Sequence, residues 1–180
     1  ETGACSDGGN SPLSAEAKTV AGKSVVEKIL LANPLLESFG NAKTTRNDNS
    51  SRFGKFMTLQ FDGKSALVGS NCSTYLLEKS RVVVQNDPME RNYHIFYQLL
   101  SASEDAKQRL LLQNRHADSF LYTMNGDVTR DNSIEGVRDA VKYSETLKVL
   151  SVLNVNSPLQ SLMEEVLAGI LHLGEVLFAT

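Results

Sequence analysis

A short polar segment combines two adjacent hydroxyls, two amides and a guanidinium, groups that bind phosphate and divalent metal ions. The segment reads Asn47-Asp48-Asn49-Ser50-Ser51-Arg52-Phe53-Gly54-Lys55. A serine hydroxyl can ligate Mg²⁺, while amide donors and backbone N–H groups hold phosphate oxygens. An arginine can fork onto a phosphate or a carboxylate. These residue types indicate a polyphosphate site with a metal ion. The competing interpretation is a polar turn, because Asn, Asp, Ser and Gly also dominate turns.

A phosphate-binding P-loop of the G-x-x-x-x-G-K-[ST] type is not predicted in this chain. The nearest string runs from Ala17 to Ser24 and ends correctly in Gly22-Lys23-Ser24, but Ala17 stands where the first glycine belongs. A polar arm precedes this string, whereas a P-loop follows a β-strand. We therefore interpret the string as a chance match.

The composition predicts one ordinary globular domain. The chain has 180 residues, of which 41% are hydrophobic and 22% are charged, and its formal net charge is -3. This charge gives no electrostatic reason to expect nucleic acid or an anionic membrane as a partner. No apolar run is long enough to predict a membrane span. The 2 cysteines are too few for a disulfide framework, so the expected setting is the reducing cytoplasm.

Local patterns predict a flexible arm followed by a broken helix. Residues 1–23 are small, polar and glycine-bearing, which is typical of a loop or a disordered arm. Helical spacing of apolar residues predicts a helix over 24–32. Asn33-Pro34 is expected to interrupt it, with a second helical segment that stops at Gly40.

The next segment has the pattern of a β-hairpin. Apolar and polar residues alternate over 57–61, which predicts a half-buried strand. Asp62-Gly63 predicts a tight turn into a second strand that ends near Tyr75. Cys72 lies on this second strand, where we expect a small buried side chain.

The remaining segments have helical patterns. Apolar spacing predicts further helices over 91–101, 104–112, 133–150 and 159–171. The first of these is apolar on nearly every face and should be buried, and Gly174 should end the last. The predicted fold class is α/β and mostly helical, with one hairpin from a larger sheet whose other strands come from outside this sequence.

Histidines and charge clusters have structural interpretations. His94 and His172 lie in apolar helical stretches without ligand-like spacing to a cysteine, so we expect hydrogen-bonded core histidines rather than metal ligands. The clusters Glu78-Lys79-Ser80-Arg81 and Glu90-Arg91 are typical of solvated faces.

The polar segment belongs to a longer stretch that resembles the myosin motor domain around its switch I loop. The similar blocks are Ile29–Lys55, Tyr75–Val83 (YLLEKSRVV), Glu90–Leu100 (ERNYHIFYQLL) and Leu167–Gly174 (LAGILHLG), and they keep the order and approximate spacing of the family from about residue 27 onward. Kinesins carry a related Asn-x-x-Ser-Ser-Arg switch, but Ser-His follows it where Phe-Gly-Lys follows here.

The resemblance implies a fragment of a P-loop NTPase-type motor domain. Residues 1–23 would form a variable surface loop, and residues 24–180 would form part of the motor with switch I and the upper 50 kDa region. The implied function is hydrolysis of ATP with Mg²⁺, coupled to cyclic binding of actin filaments in the cytoplasmic cytoskeleton. In the family the P-loop lies upstream, while switch II, the actin-binding segments and a lever arm that carries light chains or calmodulin lie downstream. We therefore expect this chain alone to be inactive.

The resemblance also implies a role for each residue of the motif. Asn47 would reach the phosphates through its side-chain amide, and Ser51 would place its hydroxyl on Mg²⁺. Ser50 and Arg52 are the expected catalytic residues: Ser50 would contact the γ-phosphate and orient the attacking water, while Arg52 would pair with the glutamate of switch II. Asn49 also matches the nucleotide-binding motif, although its expected role is to shape the loop.

Two other interpretations remain open at this point. A degenerate myosin that keeps the fold without turnover would use this chain as a non-catalytic scaffold or interaction segment. A kinesin-like motor or another P-loop NTPase would share the switch, but Phe53-Gly54-Lys55 and the string at 92–97 disfavour it. The myosin fold also gives the two charge clusters an alternative role as structural ion pairs.

Overall fold

The computed structural model describes residues 24–83, 87, 89–124 and 133–178, and within these residues helices make up more of the chain than strands do. The helices are α1 (Val25–Gly40), α2 (Ser80–Val83), α3 (His94–Leu100), α4 (Glu104–Arg109), α5 (Asp139–Val152) and α6 (Ser157–Gly174), with a short 3-10 helix at Ala117–Ser119. Three two-stranded antiparallel ladders pair β1 (Asn41–Ala42) with β2 (Ser50–Ser51), β3 (Gly54–Phe61) with β4 (Leu67–Tyr75) and β5 (Ser133–Ile134) with β6 (Val137–Arg138). The predicted arm over 1–23, with most of the P-loop-like string, lies outside the described residues.

Helix α1 starts at a capping box and continues through a proline. Ser24 Oγ accepts from Glu27 N at 3.2 Å and Glu27 Oε2 accepts from Ser24 N at 2.8 Å, which satisfies two N–H groups that a helix start leaves unpaired. The predicted interruption at Pro34 is wrong, because α1 runs on to Gly40. Proline costs one backbone hydrogen bond and crowds the preceding turn. In the following turns Ser38 and Gly40 are buried, and Ser38 Oγ donates to Pro34 O at 3.0 Å, so this end of the helix is held by packing and by a side-chain hydrogen bond.

Helix α3 is the centre of the core, since all seven of its residues are buried. Helices α1, α5 and α6 each contact it, and its apolar side chains lie in one cluster with Phe120, Tyr143, Leu167 and Leu171. The buried helix predicted over 91–101 is therefore confirmed, although its first three residues are buried without being helical.

The helix predicted over 133–150 begins later than expected. Ser133 and Val137 lie in the two short strands β5 and β6, and α5 starts only at Asp139. The turn between the strands places Glu135 at φ 53° and Gly136 at φ 76°. Positive φ at both central residues suits a tight hairpin turn and is incompatible with a helix. The prediction that Val137 is helical is thus wrong.

The hairpin β3–β4 forms as predicted, but it is not half-buried. Its strands pair in register from Gly54↔Tyr75 to Gln60↔Gly69. Phe56 is 65% exposed and Phe61 is 59% exposed, because no further strand pairs with either edge among the described residues. For the same reason Cys72 is exposed rather than buried.

The last predicted helix is confirmed as α6. Asn156 caps its start by accepting from Leu159 N at 3.1 Å, and the helix ends at Gly174. Leu167 and Leu171 face the core, whereas Leu162 on the same apolar stripe is exposed. In the part of the chain that the structure describes, no helix combines the length and apolar character needed to cross a membrane.

Candidate functional site

The motif loop, defined here as residues 43–52, is closed at its base by a short ladder. Strand β1 pairs with β2 in the register Asn41↔Ser51 and Ala42↔Ser50, and Arg52 N donates to Gly40 O at 2.8 Å. The loop therefore leaves the end of α1 and returns to the same point. Its two ends are held by backbone hydrogen bonds, while the residues between them project from the ladder.

Asn47 shapes the exposed part of the loop through its oxygens. Its Oδ1 accepts from Asn49 N at 2.7 Å, and its backbone O accepts from Thr44 N at 2.9 Å and from Thr44 Oγ1 at 3.1 Å. The side-chain oxygen thus closes an Asx-turn. The amide nitrogen of Asn47 has no hydrogen-bond partner among the described residues and lies at the surface, where it can donate to an external acceptor.

Asn49 faces inward and has partners on both ends of its amide. Its Oδ1 accepts from Asn41 Nδ2 at 2.9 Å and lies 3.2 Å from His94 Nε2. Its Nδ2 donates to Glu37 Oε2 at 3.2 Å. These contacts hold the middle of the loop against α1 and the start of α3. An amide engaged in this way has little donor capacity for a ligand.

The two serines present their hydroxyls differently. Ser51 is exposed, and its hydroxyl donates to Phe53 O at 2.9 Å. Ser50 Oγ accepts from Arg52 Nη2 at 2.5 Å. A hydroxyl that donates keeps its oxygen lone pairs for a cation, whereas a hydroxyl that accepts keeps its proton for a phosphate oxygen or water. The structure thus brings Ser50 and Arg52 into direct contact and leaves the Ser51 oxygen available at the surface.

Arg52 is bound by a carboxylate that the sequence did not assign to it. Arg52 Nη1 donates to Glu78 Oε2 at 3.3 Å. The expected partner, the glutamate of a switch II loop, has no counterpart among the described residues, so that pairing stays a prediction. The Nε atom of Arg52 is buried and has no hydrogen-bond partner among the described residues. Nε is therefore a guanidinium donor without an acceptor among the described residues.

Glu78 belongs to a row of alternating charges beneath the loop. Arg81 Nε donates to Glu78 Oε2 at 2.9 Å, and Arg81 Nη1 donates to Glu90 Oε2 at 3.1 Å. Glu90 Oε1 in turn accepts from Thr45 N at 3.4 Å. Burial alone would raise the pKa of Glu78, but the hydrogen bonds and charges of Arg81 and Arg52 outweigh burial and lower that pKa. Glu78, Arg81 and Glu90 therefore form structural ion pairs, and the interpretation as a solvated face holds only for the exposed Lys79 and Ser80.

His94 is the buried group behind the loop, and its prediction as a hydrogen-bonded core histidine is confirmed. Burial lowers the pKa of His94 to about 3, and the positive charges of Arg91, Lys142 and Lys43 act in the same direction. The ring is therefore neutral near pH 7. Because an amide oxygen only accepts, Nε2 carries the proton that Asn49 Oδ1 receives. The Nδ1 atom is buried without a hydrogen-bond partner among the described residues, and His94 lines a cavity of about 30 Å³.

A buried ion pair supports the start of α5 next to this histidine. Arg91 Nη2 donates to Asp139 Oδ1 at 2.9 Å and Oδ2 at 3.0 Å, and the Arg91 guanidinium lies 3.8 Å from the centre of the Tyr97 ring. Arg91 N also donates to Lys43 O at 2.9 Å, so the pair anchors the entry of the motif loop to the core. His172, by contrast, is only half-buried, and its Nε2 lies 3.2 Å from Leu110 O.

Two functional contacts were missed at the level of sequence. Glu78 lies 26 positions after Arg52, and His94 lies 45 positions after Asn49. No local spacing links such residues, since each pair forms only when α2 and α3 pack beside the loop. In the described part of the chain no cluster of His, Cys, Asp or Glu could hold a metal ion by itself.

Comparison with known proteins gives one consistent family. A family model described as myosin head (motor domain) matches residues 11–180. The chain is 51% identical over 156 residues to unconventional myosin-Va of Rattus norvegicus, an alignment that covers 87% of this chain and 8% of that protein. It is 47% identical over 150 residues to myosin-2B of Naumovozyma castellii, with 83% and 10% covered. It is 46% identical over 169 residues to unconventional myosin-Ic of Aquarana catesbeiana, with 94% and 16% covered.

These relatives are much longer than the chain. The matched region spans between 8% and 16% of the lengths of the three proteins. All the elements described above, from α1 to α6, fall within the residues that the family model matches.

Proposed function

This chain belongs to the myosin head (motor domain) family, and we propose that it forms part of a motor that hydrolyses Mg·ATP and couples hydrolysis to cyclic binding of actin filaments. The motif loop is the proposed switch I, within a larger P-loop NTPase-type domain. The observation that carries this proposal is the contact between Ser50 Oγ and Arg52 Nη2 in a loop whose Asn47 amide nitrogen faces outward.

The donor set of the loop fits a magnesium–nucleotide complex. Mg²⁺ keeps several waters and is usually bound through one or two protein oxygens and the phosphates of the substrate. A single exposed hydroxyl, that of Ser51, meets this requirement. The amide nitrogen of Asn47 is free to donate to a phosphate oxygen. When bound, the ion would supply charge neutralisation at the phosphate oxygens.

Each catalytic residue has a task that follows from its hydrogen bonds. Because Ser50 Oγ accepts from Arg52, its own proton is directed to another acceptor, which we assign as a γ-phosphate oxygen or the attacking water. Arg52 holds that hydroxyl in place, and we assign its unpaired N–H donors, among them the buried Nε, to the switch II carboxylate. Such positioning and charge stabilisation supply most of the rate enhancement in phosphoryl transfer. Asn49 holds the loop from behind rather than binding the nucleotide.

The proposal extends to the setting of the motor. A loop that orders on the γ-phosphate and relaxes after hydrolysis can transmit the nucleotide state to a filament-binding surface. We place the motor in the cytoplasm on the actin cytoskeleton, and light chains or calmodulin on a lever arm remain a prediction. This chain alone should not turn over ATP, because its described residues supply a single phosphate-binding loop.

Replacement of Arg52 by alanine in a complete motor tests the assignment. Nucleotide binding should stay within about threefold, whereas actin-stimulated turnover should fall by at least about a hundredfold, since a group that acts on the transition state is lost. Arg138→Ala is the matched control, because Arg138 is an exposed arginine outside residues 43–52. Near-normal turnover of the Arg52 variant would refute the assignment. A parent motor that binds filaments without hydrolysis would instead support the non-catalytic scaffold.

A further inference from the structure

We propose that Glu78 is the positioning residue of Arg52: it holds the guanidinium at the motif loop before a second carboxylate arrives. This inference rests on the proposed function for its catalytic consequence. The contact itself is a property of the described fold, with Arg52 Nη1 at 3.3 Å from Glu78 Oε2. The two side chains are 27% and 32% exposed, so the pair is shielded in part from solvent.

The backbone fixes Glu78 relative to Arg52. Glu78 N donates to Arg52 O at 2.9 Å, and Arg52 N donates to Gly40 O at 2.8 Å. Tyr93 Oη donates to Glu78 O at 2.7 Å from the buried segment before α3. Glu78 is therefore attached both to the end of the motif loop and to the core. Because the backbone of Glu78 is held through both its N–H and its carbonyl group, its carboxylate can orient a partner without first being ordered itself.

Arg81 makes the Glu78 carboxylate a fixed acceptor. Its Nε donates to the same Oε2 atom that receives Arg52, at 2.9 Å, and its side chain is only 11% exposed. Arg81 also donates to Glu90 Oε2 and to Arg91 O, at 3.1 Å and 3.2 Å. These three acceptors fix the position of the Arg81 side chain, which in turn fixes the Glu78 carboxylate. The rotamer of Glu78 is thus set independently of Arg52, as a positioning role requires.

The division of the Arg52 donors favours a positioning role over a purely structural ion pair. Nη1 contacts Glu78 and Nη2 contacts Ser50, while Nε is buried without a partner among the described residues. A bidentate pair would have used two donors on one carboxylate. Here Arg52 gives Glu78 only one donor, so Nη2 can hold the hydroxyl of Ser50, while Nε stays unpaired among the described residues.

The row of alternating charges, Glu78, Arg81 and Glu90, also binds the other end of the motif loop. Glu90 accepts from Arg81 through Oε2 and from Thr45 N through Oε1. Arg52 and Thr45 lie near opposite ends of the loop and are linked through Glu78, Arg81 and Glu90. Loss of the Glu78 charge should therefore loosen Arg52 first, while Thr45 keeps its own acceptor.

The catalytic test uses Glu78→Gln in a complete motor, with Glu165→Gln as the control. Glutamine keeps the size of the side chain and removes its charge. We expect kcat to fall about tenfold, equivalent to one charge-assisted hydrogen bond lost in the transition state, while the Kd for Mg·ATP changes by less than about twofold. Glu165 is exposed on α6, and its carboxylate lies 3.5 Å from Arg109; Glu165→Gln should leave both values unchanged. An unchanged kcat in Glu78→Gln would overturn the proposal.

A second measurement separates positioning from general loss of structure. Amide hydrogen exchange of residues 43–52 is compared in the nucleotide-free motor for Glu78→Gln, Arg52→Ala and the double variant. If Glu78 acts through Arg52, the double variant exchanges like Arg52→Ala alone. Additive increases in exchange would show that Glu78 acts independently, and would overturn the proposal. This readout does not need hydrolysis, so a parent motor without ATPase activity would refute the proposed function while the exchange data still decide the role of Glu78.

Discussion

Acidification should destabilise the fold through His94, the buried histidine behind the motif loop. The folded state lowers the pKa of His94 to about 3, because burial and the charges of Arg91, Lys142 and Lys43 oppose protonation. In the unfolded chain an exposed histidine has a pKa of about 6.5. Between these two values the unfolded state binds the proton and the folded state does not. Stability is therefore complete above about pH 6.5 and is lost as the pH falls towards 3.

The size of the effect follows from the two pKa values. One proton bound only by the unfolded state changes the free energy of unfolding by at most about 1.4 kcal/mol per pH unit. Between pH 7.5 and pH 5.0 the integrated loss is about 2 kcal/mol for this single group. Carboxylates contribute little above pH 5, because most of them titrate near pH 4.

Urea denaturation of the chain at pH 7.5 and at pH 5.0 measures the loss, with His94→Gln as the test variant. Glutamine can still donate to Asn49 Oδ1, so the contact to the loop is kept while the titratable ring is removed. The variant should lose about 2 kcal/mol less than the parent between the two pH values. His116→Gln is the control, since His116 is exposed, and it should behave like the parent.

One result would refute this reasoning. If His94→Gln and the parent lose the same free energy of unfolding on acidification, groups other than His94 cause that loss. His94 would then be protonated in the folded state, and its Nε2–H contact with Asn49 would not depend on a neutral ring.

Two further predictions concern the supports of the motif loop. Asp139→Asn should lower the free energy of unfolding by about 3 kcal/mol, because Arg91 stays charged and buried without its carboxylate. Urea denaturation measures this change, and a loss below about 1 kcal/mol would contradict the prediction. Gly40→Ala should cost about 1–3 kcal/mol, since the new Cβ would lie 2.4 Å from the ring of Phe53. Gly63→Ala at the open hairpin turn is the control for the same measurement, and equal losses at the two glycines would argue against the clash.

Elements with strong local signals were predicted well from the sequence. Helix α6 has an apolar stripe and a terminal glycine, and the hairpin has alternation with an Asp-Gly turn. Each of these signals depends on residues that are close together in the chain. Burial was harder to predict, as Phe56 and Cys72 show, because it depends on which elements cover a strand.

Two predicted boundaries failed because a local rule was outweighed. Pro34 disfavours a continuous helix, yet the buried turn around Ser38 holds α1 together. Val137 continued a helical spacing, but Glu135-Gly136 adopts positive φ and forms a hairpin turn instead. In both cases the deciding interaction was not visible in the spacing of apolar residues.

The candidate site was predictable as a motif but not as a network. Asn47, Ser50, Ser51 and Arg52 are contiguous, so their residue types alone indicate phosphate chemistry, and their individual roles remain predictions. Glu78, which holds Arg52, comes from a segment whose charges are typical of a solvated surface. Its contact depends on tertiary structure, since α2 must place Arg81 beside Glu78, and Glu90 from beyond α2 must bind Arg81.

The exposed hairpin has a consequence for any work with the chain in isolation. Among the described residues, both outer edges of β3–β4 lack a pairing strand, and β4 carries no charged residue from Leu67 to Tyr75. Unpaired strand edges without charges are templates for strand addition from another molecule. The isolated chain should therefore self-associate in a concentration-dependent way through this hairpin. A peptide strand that pairs with the free edge of β4 should block this edge and prevent self-association of the chain.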